Sequence, residues 1–160
     1  MHLKTPLLLT VAAAFVVIAP AAERRRPMGD FQATTLTGET LTRDSLKGKP
    51  YLLQFWTTWC GYCRRDQPAV EEFIRDKGEN IPVVCVNVKE SRRTVTSYLA
   101  DAPRSCKVVL TEDTNLTAIV KQTGYPKYIL VDAEGNIASV QNGAGGIEGL
   151  RAMLAEAGVQ

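Results

Sequence analysis

Histidine is almost absent from this chain of 160 residues, and the only one is His2, near the N-terminus. A folded domain that begins after the first two dozen residues therefore contains no histidine. Ser-His-Asp triads, Cys-His nucleophile pairs and histidine-ligated metal centres all depend on that side chain. The sequence excludes these three kinds of site from such a domain.

A strong excess of charge is also lacking. The chain has 19 basic and 17 acidic residues and a formal net charge of +2, which gives no indication of nucleic-acid binding. No internal repeat or low-complexity tract is visible. Hydrophobic residues make up 45% and charged residues 22%, as in packed globular proteins, and the length suits one domain.

The N-terminal segment differs from the rest of the chain. Lys4 is followed by an apolar run that ends in small residues, with an A-x-A-like site at 19–21, which is typical of a secretory signal. The arginines at 24–26 oppose export, and an anchored domain that faces the cytoplasm is the alternative. We predict a signal peptide or N-terminal membrane anchor over 1–22, a linker over 23–28 and a domain over 29–158. Where the signal is not cleaved, residues 5–22 would tether the domain to the membrane. The predicted location is periplasmic or extracytoplasmic.

The hydrophobic pattern of the remainder predicts an α/β fold. Continuous apolar runs indicate buried strands, and apolar residues at three- and four-residue spacing indicate helices. The order of these elements predicts a mixed central sheet with helices on both faces. Strands are predicted over 51–56, 81–90 and 106–113 and in hairpins over 28–50 and 125–143, and helices over 63–78, 91–103, 114–124 and 146–158.

Cys60 and Cys63 form a Cys-x-x-Cys pair between a predicted buried strand and a predicted helix. Such a pair binds metal, forms a structural disulfide or performs thiol–disulfide exchange. Structural zinc needs four ligands, and the other two cysteines, Cys85 and Cys106, lie in or at predicted strands instead of forming a second pair. A disulfide across so short a loop adds little stability. These considerations favour redox exchange without a metal or any cofactor beyond the disulfide itself.

The position of the pair also suggests a role for each cysteine. Cys60 falls at a helix N-terminus, where the helix dipole and free backbone N–H groups favour the thiolate that attacks disulfides. Cys63 lies one turn into the helix and is shielded there. We therefore predict that Cys60 is the nucleophile and Cys63 the resolving thiol.

Four segments of the sequence resemble a known family. The segments FWTTWCGYC and TGYPKYILVD resemble the thioredoxin superfamily, and the lead-in DFQATTLTGETLTRDSLKGKPYLLQFW with the continuation CRRDQP narrows this to TlpA/ResA-like thioredoxins. The resemblance covers about residues 29–158. It implies a thioredoxin fold with an N-terminal β-hairpin extension and a thiol–disulfide oxidoreductase activity.

The resemblance also implies roles for three residues near the pair. Pro126 matches the family's cis-proline, which packs against the redox pair and offers backbone to a substrate strand. Tyr125 takes the neighbouring substrate-contacting position, and Trp59 matches the tryptophan beside the nucleophile. Ordinary core packing is the alternative interpretation of Trp59, and a trans proline at the start of a strand is the alternative for Pro126.

Asp66 lies on the same predicted helix face as Cys63, one turn further on. A carboxyl on that inward face would be partly desolvated and would exchange a proton with Cys63 as the disulfide opens; a solvated acid near a helix N-terminus is the alternative.

The resemblance places Gln54 where ordinary thioredoxins have a buried aspartate, and Cys85 where they have its lysine partner. Cys85 is interpreted as a small core residue, and a Cys85–Cys106 bond is the alternative if the strand register allows it.

The leading functional hypothesis is an exported, monomeric oxidoreductase that uses Cys60 and Cys63 to reduce specific partner proteins, as in cytochrome c maturation. Its partners would be cysteine-containing exported proteins and an upstream electron-donor thiol protein. A disulfide oxidase or isomerase of the same fold is an alternative. A peroxiredoxin-like peroxidase is another, although Leu53 stands where that family has proline. A copper metallochaperone is the non-enzymatic alternative, and the absence of histidine from the domain argues against it.

Overall fold

The computed structural model describes residues 25–159. The predicted signal or anchor over 1–22 lies outside these residues. Within the described range, no helix is both long enough and apolar enough to cross a membrane. The elements are the strands β1 (Gln32–Thr35), β2 (Thr40–Thr42), β3 (Tyr51–Trp56), β4 (Val83–Asn87), β5 (Lys107–Thr114), β6 (Lys127–Val131) and β7 (Ile137–Asn142), and the helices α1 (Gly61–Lys77), α2 (Arg92–Asp101), α3 (Leu116–Ile119) and α4 (Gly146–Ala157).

The seven strands form one mixed sheet in the order β2-β1-β5-β4-β3-β6-β7. Strands β3, β4 and β5 are parallel, while β6 pairs antiparallel with β3 and β7 with β6. The N-terminal hairpin of β1 and β2 extends the opposite edge by antiparallel pairing with β5. This architecture confirms the predicted mixed sheet and N-terminal hairpin.

Strand β3 lies inside the sheet, and all six of its residues are buried. Alternate residues contribute to two hydrophobic clusters, with Leu52 and Trp56 facing α1 and α4, and Leu53 and Phe55 facing the N-terminal segment and α3. Burial on both faces explains why this strand is a continuous apolar run without alternation. Gln54 is the one amide side chain in the run and is fully buried.

Helix α1 follows β3 and carries the second cysteine. Its buried residues recur at the predicted spacing, with Cys63, Asp66, Val70 and Phe73 facing the sheet. Gly78 ends the helix with a positive φ of 56°, a conformation that glycine adopts without steric cost. The periodicity of the sequence therefore placed both Cys63 and Asp66 correctly on the inward face.

The prediction of a helix over 114–124 is wrong in the length of the helix. Strand β5 continues to Thr114, and only Leu116–Ile119 is helical. The cause is a non-local pairing, because Thr114 lies opposite Ala33 of the hairpin and its backbone is thereby held extended. Tertiary pairing overrides local helix propensity here.

The interpretation of Cys85 as a simple core residue is also wrong. Cys85 is fully buried in β4 and forms a disulfide with Cys106, immediately before β5, with Cα atoms 6.0 Å apart. The two strands are neighbours, and Val84 lies opposite Lys107. The register brings the cysteines within bonding range, which is the alternative that the sequence left open.

Packing begins within the segment predicted as a linker. Met28 is fully buried and its amide donates to the carbonyl oxygen of Gly135. Pro27 forms a bridge with Asn136, and Arg25 pairs with Asp132 at 3.4 Å. The domain therefore includes residues N-terminal to position 29.

Candidate active site

The Cys60–Cys63 disulfide lies beyond the carboxyl end of β3, at the start of α1. Cys60 is the N-cap residue of that helix, and the amide of Cys63 donates to its Sγ at 3.0 Å. The exposed fraction is 5% for Cys60 and zero for Cys63. Cys60 is thus the more accessible sulfur, and its contact with a helix N-terminal amide suits a thiolate.

The dipeptide between the cysteines, Gly61-Tyr62, exposes the tyrosine side chain to solvent. Tyr62 is 61% exposed, and the guanidinium of Arg65 lies over its ring, 4.5 Å from the centroid. Arg64 donates from Nη1 to the carbonyl oxygen of Thr58 at 2.9 Å. The dipeptide itself brings no cation to the disulfide.

An aromatic pair flanks the accessible cysteine. Trp59 is 68% exposed and meets the ring of Tyr125 edge to face, with centroids 5.9 Å apart. The peptide bond between Tyr125 and Pro126 is cis, as the resemblance implies. Trp59 and Tyr125 border a cleft of about 460 Å³, whose wall consists of residues 59–62 and 122–125.

Asp66 is buried behind the disulfide and has two donors. Tyr128 Oη donates to its Oδ2 at 2.6 Å, and the amide of Gly146, the first residue of α4, donates to its Oδ1 at 2.8 Å. Burial, followed by the hydrogen bond to Asp66, raises the pKa of Tyr128 far above its usual value. The tyrosine hydroxyl therefore stays protonated and remains a donor to the carboxyl.

A chain of buried polar groups continues from Asp66 into the sheet. Gln54 donates from Nε2 to Tyr128 Oη at 3.2 Å, and its Oε1 accepts from Arg104 Nη1 at 3.1 Å. The guanidinium of Arg104 also stacks on Trp56, 3.6 Å from the ring centroid, and burial lowers its pKa. Sequence reasoning identified Gln54 but missed Tyr128 and Arg104. A buried glutamine in an apolar strand needs polar partners, but the pattern does not reveal which residues supply them.

Glu90 is a second residue that the sequence analysis missed. Its carboxylate accepts from the amide of Thr58 at 2.7 Å, from the hydroxyl of Thr58, and from Asn87 Nδ2 at 2.7 Å. Glu90 thereby fixes the loop that carries Trp59 and Cys60 to the end of β4. The only local sequence signal for this role is an acidic residue in the loop just after a buried strand.

The variant Glu90→Gln is expected to lower the free energy of unfolding by about 1–3 kcal/mol, because at least one buried donor loses its acceptor. It should also slow thiol–disulfide exchange, since the loop before Cys60 is held less firmly. Denaturant titration and an exchange assay measure the two effects. Glu134→Gln, at an exposed turn, is the matched control, and equal behaviour of the two variants would contradict the role of Glu90.

The fold and the site together define a class of protein. A Cys-x-x-Cys disulfide at the junction of a central strand and a helix, next to a cis-proline, is the arrangement of a thioredoxin-like thiol–disulfide oxidoreductase. The chain belongs to the Redoxin family, whose model matches residues 19–154.

Individual relatives agree with this assignment. The chain is 32% identical over 117 residues to the thioredoxin-like protein YneN of Bacillus subtilis, covering 71% of this chain and 68% of that one. It is 28% identical over 115 residues to the thiol-disulfide oxidoreductase ResA of the same organism, covering 71% of this chain and 64% of ResA. The match thus spans about two thirds of each relative. A thiol:disulfide interchange protein of the thioredoxin family from Chlorobium tepidum TLS has a TM-score of 0.73 at 26% identity, over 86% of this chain and 99% of that one.

Proposed function

We propose that this protein is an extracytoplasmic reductase of disulfides in specific cysteine-containing partner proteins, in a role of the cytochrome c maturation type. Each turnover leaves Cys60 and Cys63 oxidised, so an upstream thiol protein must reduce them again. The proposed location rests on the apolar segment at 5–22. The chain would act as a monomer, cleaved from that segment or tethered by it.

The observation that carries the proposal is the cleft beside Cys60. Its aromatic rim, formed by the exposed Trp59 and the half-buried Tyr125, lies beside the more accessible sulfur of the pair. An extended peptide laid beside Tyr125, the residue before the cis-proline, would place its own disulfide against Cys60. Exposed aromatic side chains of this kind are typical anchors in protein recognition.

The reducing direction is supported by the surroundings of the pair. A strong oxidant of this fold has a stabilised reduced form, often through a stabilised thiolate. Here Cys63 has no exposed surface, and burial in an apolar core disfavours a thiolate at that sulfur. The Gly61-Tyr62 dipeptide adds no compensating cation. Both features favour the disulfide over the dithiolate and thus a low reduction potential.

The reduction potential of Cys60–Cys63 is expected to lie near the thioredoxin value of about −270 mV and far from the value of about −120 mV for a strong oxidant. Equilibration with glutathione or dithiothreitol buffers, read out by mass spectrometry of the Cys60–Cys63 peptide, measures this pair separately from Cys85–Cys106. A potential at the oxidising end would overturn the assignment as a reductase and support the oxidase or isomerase alternative.

A further inference from the structure

The second disulfide lies at the opposite end of the parallel strands from the redox pair. Cys106 precedes β5, whereas Cys60 follows the carboxyl end of β3. Cys85 has no exposed surface, but Cys106 is only half-buried. A thiol from solvent therefore meets Cys106 first, and Cys85 is the sulfur that would leave.

Cys106 lines a cleft of about 540 Å³. That volume lies within the range of small-molecule sites. Three lysines and two glutamates border the cleft, and one lysine is neutralised, because Lys107 Nζ pairs with Glu39 at 2.6 Å. Lys47 and Lys49 form no salt bridge with any described residue. Glu79 is likewise in no salt bridge with a described residue, so the unpaired charges of the lining are two lysines and one glutamate. The cleft thus has the size, and an excess of one positive charge, to hold a small anionic thiol.

The leaving cysteine also has a polar environment. Cys85 Sγ lies 3.0 Å from Gln54 Oε1, the same atom that accepts from Arg104. After protonation, the Cys85 thiol would donate to Gln54 Oε1, so the released sulfur has a hydrogen-bond partner inside the sheet.

We propose that Cys85–Cys106 is a second thiol–disulfide exchange site, at which a small anionic thiol bound between Lys47 and Lys49 attacks Cys106. The attack forms a mixed disulfide at Cys106 and releases Cys85 as a thiolate, which takes up one proton. A second small thiol then attacks the sulfur of the bound one. The products are a small-molecule disulfide and two protein thiols, so two electrons and two protons pass to the protein. This site operates independently of the function proposed for Cys60 and Cys63.

The test uses full-length protein with the substitutions Cys60→Ser and Cys63→Ser, so that Cys85–Cys106 is the only disulfide. Reduced glutathione serves as the anionic thiol and 2-mercaptoethanol as the uncharged one. The folded protein is quenched by alkylation, and peptide mass spectrometry locates each adduct. We expect glutathione on Cys106 and alkylation of Cys85. The same measurement on the unsubstituted protein guards against a folding defect in the variant.

Charge reversal tests the cleft itself. Lys47→Glu with Lys49→Glu should slow the reaction with glutathione about tenfold and leave the reaction with 2-mercaptoethanol unchanged, because only the charged thiol is attracted. Lys121→Glu, on an exposed lysine outside the lining of this cleft, is the control. Three results would overturn the proposal: no reaction until denaturant is added, an adduct on Cys85 instead of Cys106, or equal slowing of the charged and uncharged thiols.

Discussion

The variant Cys63→Ser should accumulate mixed disulfides through Cys60 when it meets a disulfide substrate, whereas Cys60→Ser should accumulate none. Attack by Cys60 leaves the substrate joined to the protein, and the thiol that would release it is missing from Cys63→Ser. The structure supports this order, because Cys60 is the more accessible sulfur and caps the helix. Both variants should lose essentially all catalytic turnover.

Non-reducing electrophoresis with a disulfide-containing protein substrate shows the trapped species. Peptide mass spectrometry must then assign the bond to Cys60, because half-buried Cys106 becomes a thiol wherever the Cys85–Cys106 bond is reduced. Equal trapping at the remaining cysteine of the redox pair in the two variants would mean that the nucleophile is misassigned. An adduct at Cys106 in both variants would belong to the second exchange site.

Replacing Asp66 by asparagine should slow the opening of the Cys60–Cys63 disulfide about 100-fold, the lower range for loss of a general acid or base. Asparagine has nearly the same shape but neither donates nor accepts the proton that Cys63 exchanges. Stopped-flow measurement of the change in tryptophan fluorescence gives the rate.

Two further variants separate proton transfer from packing. Asp76→Asn, on an exposed part of the same helix, should leave the rate unchanged. Tyr128→Phe removes the donor to Asp66 Oδ2 but keeps the carboxyl, so it should slow the reaction less than Asp66→Asn. If Asp66→Asn reacts at the rate of Asp76→Asn, the carboxyl has no part in proton transfer.

Much of the fold was predictable because its signals are local. The apolar run at 51–56 identified the buried strand, and the spacing of Val70 and Phe73 identified α1. Once the helix was placed, the inward position of Cys63 and Asp66 followed from its period of 3.6 residues. The position of the redox pair could therefore be predicted from short stretches of sequence alone.

The remaining features depend on contacts between distant parts of the chain. Tyr128 donates to an acid 62 residues away, and Arg104 reaches Gln54 across 50 residues. The Cys85–Cys106 bond depends on the register between two strands, which the sequence does not specify. The short α3 likewise reflects pairing of Thr114 with a hairpin that begins at Gln32, 82 residues earlier in the chain. Local patterns carry no information about such pairings.

Asp66 also stabilises the packing of α4, the last helix, against α1 and β6. Through Tyr128 and the amide of Gly146, one carboxyl joins α1, β6 and α4. An engineer who replaced this residue to retune proton transfer would at the same time loosen the attachment of the C-terminal helix. Activity and stability are therefore not independent design variables at this position, and any redesign of the acid needs a compensating contact at the start of α4.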